Sequence, residues 1–147
     1  MAKRSKGQEL AAFEITFYEK LVNAYPDFVD ALIPLADAYT RQGLHEQGLQ
    51  IDLRLSQLKQ DDPLVWYNLA CSYSLLNQLD ESIGALQRAF ELGYRDLGDV
   101  RGDPDLLNLR QSPKHRQVLH AVVALSAPKV QQASHPGGSP QPPAHSV

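Results

Sequence analysis

Residues 63–94 read PLVWYNLACSYSLLNQLDESIGALQRAFELGY, and the reading of this stretch decides the fold. Sliding the sequence against itself by 34 residues lays 29–60 over it. Leu35, Ala36 and Tyr39 then fall on Leu69, Ala70 and Tyr73. Leu49 falls on Ile83, and Asp27 on Asp61, each aspartate just ahead of a helical pattern. Leu35 and Tyr39 are four apart, so they share one helical face, and the small Ala36 beside them lets a second helix approach. Gly43 breaks the first pattern and another begins near His45, with Leu49, Leu53 and Leu58 as its apolar side. The predicted unit is a pair of antiparallel helices joined by a tight turn. A single pair buries only part of its apolar surface, so neighbouring pairs must stack.

Working outward, 63–94 resembles the tetratricopeptide repeat. That family places Trp, Leu, a small residue and an aromatic on its first helix, where Trp66, Leu69, Ala70 and Tyr73 stand. On its second helix it places a small residue, a large one and Ala, where Ser82, Leu86 and Ala89 stand, and DES at 80–82 resembles that helix's opening. Residues 29–62 are a looser copy. Leu32, Leu35, Ala36, Tyr39, Gly43 and Gly48 fit, but Leu55 replaces the usual Ala and Asp52 takes a place usually apolar. Either that second helix is rotated, or Asp52 is buried and hydrogen-bonded, with Tyr39 or Tyr73 as donor. Residues 8–26 look like the second helix of an earlier repeat, matched by Tyr18, Leu21 and Pro26.

The expectation is therefore an all-α, antiparallel helix-hairpin solenoid. It comprises an N-terminal half-repeat, repeats at about 29–62 and 63–96, and a helical cap at 97–125, together spanning 8–125. In the cap, Asp103-Pro104 and Ser112-Pro113 read as helix starts. Leu106, Leu107 and Leu109, then Val118, Leu119, Val122 and Val123, are expected to cover the last hairpin. The Asp-Pro-Asp cluster at 103–105 reads as cap and loop, not as a metal site. Residues 1–7 and 126–147 are expected to be disordered, the latter for its prolines and its lack of periodicity. Its Pro140-Gln-Pro-Pro143 is a PxxP string of the kind polyproline-binding domains read.

Composition narrows the function. A net charge of -3, with only Lys3, Arg4 and Lys6 clustered, offers no basic stripe for nucleic acid. The longest apolar run, AVVAL at 121–125, is far short of the ~20 residues a membrane span needs. The basic start MAKRSK is followed by Glu9, Glu14 and Glu19 and not by a signal-type apolar core, which reads as cytoplasmic. Cys71 is the only cysteine, and its helix places no base at hydrogen-bonding spacing. His115 and His120 are five apart, a poor spacing for one metal on a helix. Neither catalysis nor a cofactor is expected.

The resemblance implies a binding groove lined by the first helix of each pair. Its positions in the first repeat are Asp30, Ile33, Asp37, Thr40 and Arg41. In the second they are Leu64, Tyr67, Asn68, Cys71 and Ser74. One end is acidic and the other apolar. Tyr67 suits an anchor role, and Asn68 can pair with a peptide backbone through donor and acceptor. A subgroup of the family holds acidic peptide C-termini with lysines and asparagines, whereas Asp30, Ile33 and Asp37 stand here, so a carboxylate ligand would be repelled. The expected function is a protein–protein interaction module, an adaptor or assembly factor. The alternative is a self-associating subunit, a homodimer joined through its N-terminal helix.

Pro34 leaves two expectations open. If its helix starts near Asp30 or Ala31, the lost backbone donor falls in the opening turns. If the helix starts at Phe28, a kink follows, and a freed carbonyl faces any ligand.

Overall fold

The computed structural model describes residues 3–126, and among them every regular element is a helix. In chain order they are α1 (Lys6–Ala24), α2 (Val29–Arg41), α3 (His45–Leu58), α4 (Pro63–Leu75), α5 (Leu79–Glu91), α6 (Leu97–Gly102), α7 (Leu107–Gln111) and α8 (Pro113–Ser126). A 3-10 turn, Pro104–Leu106, leads into α7. No described helix is long and apolar enough to cross a membrane.

Local chemistry sets the starts. Ser5 and Gln8 form a capping box, each side chain accepting from the other's backbone N–H, and this opens α1 at Lys6, inside the stretch expected to be unstructured. Asp62 caps α4 by accepting from Leu64 N–H at 3.0 Å, with Pro63 at the first helical position. Phe28 caps α2 without a side-chain bond. Pro34 is thus the sixth residue of α2, past the donors a helix leaves unpaired, and the Asp30 carbonyl loses its partner four residues on.

The 34-residue offset reappears in the backbone. α2 and α4 start and end 34 residues apart, as do the starts of α3 and α5. The turns match as well. Leu44 N–H donates to the Tyr39 carbonyl and Gln78 N–H to the Tyr73 carbonyl, both at 2.9 Å, and the residues before them, Gly43 (φ 74°) and Asn77 (φ 59°), are left-handed. Such a turn satisfies the last carbonyls of one helix and reverses the chain into the next.

Each of α2 to α5 packs on the helix before it, and α8, α7 and the 3-10 turn fold back over α5 and α4. Small residues set the close approaches. A Cβ on Gly48 would lie 3.4 Å from Thr40 Oγ1, and at the matching position Ser82 Oγ donates to the Ala70 carbonyl at 2.6 Å. The main core joins Leu69, Ala70, Ile83, Leu86, Ala89 and Phe90 to Val100, Leu106, Leu109, Leu119, Val122 and Val123 of the cap. A smaller cluster joins Leu32, Ala36, Leu55 and Val65. Leu107 and Val118, expected in the cap's apolar face, are exposed instead. Leu107 opens α7 one residue after the 3-10 turn, where Leu106 already fills the buried place. α8 continues through Ser126, into the first residue expected to be tail, and the PxxP string lies outside the described residues.

Candidate functional site: an acidic cavity between the helix pairs

α2, α3, α4 and the 3-10 turn enclose a cavity of about 360 Å³. α2 contributes Ile33, Ala36, Asp37 and Thr40, and α3 contributes Asp52 and Leu55. α4 and its cap supply Asp62, Leu64, Val65, Tyr67, Asn68, Cys71, Ser72 and Leu75, and the turn supplies Asp103 and Asp105. Of the residues expected in the groove, Ile33, Asp37, Thr40, Leu64, Tyr67, Asn68 and Cys71 come together here. Asp30, Arg41 and Ser74 do not line it.

The second-repeat residues are placed differently from expectation. Leu64 (55% exposed) and Asn68 face outward at the mouth, as Ile33 (46% exposed) does on α2. Tyr67, Cys71 and Ser74 are buried, because the returning chain covers this side of α4. The Tyr67 ring stacks on Tyr94, centroids 4.4 Å apart, and its hydroxyl donates to Asp103 Oδ2 at 2.7 Å. Asn108 Nδ2 donates to the Ser74 carbonyl at 2.8 Å. Tyr67 is therefore a wall and a cap anchor, not an exposed contact. Arg41 turns away to bridge Glu14 of α1 and Asp37, both at 2.9 Å.

Asp52 and Ser72 form a buried polar part of the wall. Asp52 is 4% exposed, and Ser72 Oγ donates to its Oδ2 at 2.5 Å. The donor is neither Tyr39 nor Tyr73; the Tyr39 hydroxyl donates to Glu19 Oε1 at 2.6 Å instead. Burial pushes the Asp52 carboxyl up to about 6, and the Ser72 bond offsets only part of that. The Asp105 carboxyl is also raised, by burial and by Asp103 beside it. Burial, Asp103 and Asp105 push the Cys71 thiol well above its ordinary value.

The Asp103 carboxylate does two jobs. Oδ1 accepts from Asp105 N–H at 2.9 Å and caps the 3-10 turn, while Oδ2 accepts from Tyr67. Cys71 Sγ and carboxylate oxygens of Asp103 and Asp105 lie within 4.8 Å of one another, the one such group among the described residues. Burial and the neighbouring carboxylates disfavour the Cys71 thiolate, and both Asp103 oxygens already accept hydrogen bonds. Asp62, Asp103 and Asp105 were missed as wall residues by the sequence reading. The sequence marks Asp103 with Pro104 as a helix start, and nothing local shows that the 3-10 turn folds back onto α4.

Fold and site together define an all-helical protein with a twice-repeated helix pair and an acidic cavity between the pairs. No family model matches the chain. It is similar to a chloroplastic protein of Arabidopsis thaliana, at 35% identity over 77 residues, a match taking in 50% of this chain and 23% of that protein.

Proposed function

We propose that this chain is a helical-repeat protein of the tetratricopeptide kind and serves as a protein–protein interaction module, seating a peptide or partner surface between α2 and α4. The observation that carries the reading is the cavity, which gathers seven of the ten residues expected in the groove. The 34-residue offset of helix ends and left-handed turns supports the repeat. The walls favour a ligand without negative charge. Asp37, Asp52, Asp62, Asp103 and Asp105 line the cavity and, among the described residues, no cationic side chain does, so an acidic C-terminal tail would meet repulsion.

Partner capture by the intact chain tests this, with Ile33→Arg/Leu64→Arg as the groove variant and Gln87→Arg as a surface control. The expected result is a protein retained by the wild type and the control and lost by the groove variant. Equal recovery by all three would contradict the proposal.

A second reading, self-association, draws on α1. None of its residues is buried, and Leu10, Phe13 and Phe17, at 69%, 70% and 50% exposed, form one apolar face. If α1 pairs with its own copy, light scattering gives a dimer mass that Phe13→Ser reduces to the monomer. A monomer mass at all accessible concentrations would dismiss it.

A further inference from the structure

We infer that the cavity is a receptor for one cationic side chain, an arginine or lysine carried by the bound segment, with Asp52 as its floor. This rests on the binding reading above and names the chemistry of the ligand.

Charge accounts for the choice. Two of the wall carboxylates are already matched: Asp37 by Arg41 at 2.9 Å, and Asp62 by Lys59 at 3.2 Å. Asp52, Asp103 and Asp105 have no ion-pair partner among the described residues. All three line the one cavity, and oxygens of Asp103 and Asp105 lie within 4.8 Å of each other. Acidic residues often gather at a surface without a ligand. Asp52 does not belong to that case, because it is almost wholly buried. Ser72 satisfies Oδ2 alone. Its other oxygen accepts no hydrogen bond among the described residues, and Asp52 lines the cavity. A buried carboxyl is ordinarily paired, and here the missing partner has room to enter from outside.

The surroundings favour a side chain over a bare ion. Leu55, Val65 and Leu75 give the cavity apolar walls for an aliphatic stem. Ile33 and Leu64 are exposed at the mouth, where a neighbouring apolar residue of the same segment can rest, and Asn68 beside them can bond its backbone. A guanidinium carries five N–H donors in a planar fork and can therefore meet more than one carboxylate oxygen.

The test uses the intact, uniformly 15N-labelled chain and two capped dipeptides, acetyl-Leu-Arg-amide and its citrulline counterpart. Citrulline keeps the shape and removes the charge. The expected result is saturable shifts at the amides of Ile33, Leu64, Asn68 and Asp105 with the arginine peptide. The affinity falls by at least about tenfold with citrulline and in Asp52→Asn. Asp105→Asn, a less buried site, weakens binding as well and guards against a folding defect in the first variant. Equal affinity for the two peptides, binding undiminished in both variants, or no shifts at millimolar arginine peptide would each overturn the inference. If it fails while Ile33→Arg/Leu64→Arg still abolishes partner capture, the binding module stands and only the cationic ligand is lost. If the dipeptide binds while no partner is captured, the reverse holds.

Discussion

Asp52 is buried at the contact between α3 and α4, and its cost can be measured. Its carboxyl titrates near 6 in the folded chain against 3.8 for an exposed aspartate. The folded state therefore binds the proton more tightly. The stability this brings is complete below 3.8 and is lost as the pH rises through 6. Other carboxylates add their own pH dependence, so the informative quantity is the difference from Asp52→Asn. Asn keeps the shape and the Ser72 contact without a charge. The stability of Asp52→Asn relative to wild type should rise by about 2 kcal/mol between about pH 4 and pH 7. Urea unfolding at several pH values checks this; a flat difference would mean that Asp52 is better solvated than its burial implies. A partner cation of the kind proposed would offset that cost.

At the scale of elements, the two turns between paired helices are the sharpest expression of the repeat. Gly43 and Asn77 occupy the same left-handed position. A Cβ on Gly43 would meet no neighbour within 4 Å, so Gly43→Ala isolates the backbone term. It should destabilise by about 1 kcal/mol, because Ala resists the left-handed region. Asn77→Gly should be near neutral, since Asn tolerates that region. Thermal unfolding of both variants decides; an unchanged midpoint for Gly43→Ala would mean that the turn relaxes to another geometry. These elements were legible in the sequence. Leu35, Tyr39 and Gly43, with their counterparts 34 residues on, carry the helix face and its end within a few residues of one another. α6 was not foreseen, for LGDVRG is too short to show a period.

For the molecule as a whole, the decisive event is the return of the chain over α4. Tyr67 meets Asp103 across 36 residues, and Asn108 meets Ser74 across 34. Arg110 Nη1 fixes the turn by donating to the Asp103 carbonyl at 2.7 Å. Contacts of such separation leave no periodic trace. The sequence therefore put Tyr67 and Cys71 on the face of α4 that lines the cavity, while Ser74, expected there too, lies off it, and it could not show that this side is covered. The expected open groove is shortened to a cavity, with Ile33, Leu64 and Asn68 left at its mouth. The oddity of Asp52 was visible from the resemblance, which puts an apolar residue at its place, while its partner Ser72 was not, because a serine on a helix carries no mark of what faces it. The charge pattern also took its meaning only from folding. Asp103 and Asp105 read locally as cap residues, and packing turned them into cavity walls.

The most direct measurement is photo-crosslinking from single benzoylphenylalanine residues placed, in separate full-length chains, at positions 64, 87 and 13. These are the mouth of the cavity, the exposed side of α5 and the apolar face of α1. A partner adduct from position 64, absent from 87 and 13, is the predicted result. Adducts arising only from position 13, at twice the mass of the chain, or equally from all three positions, would contradict a binding site between α2 and α4.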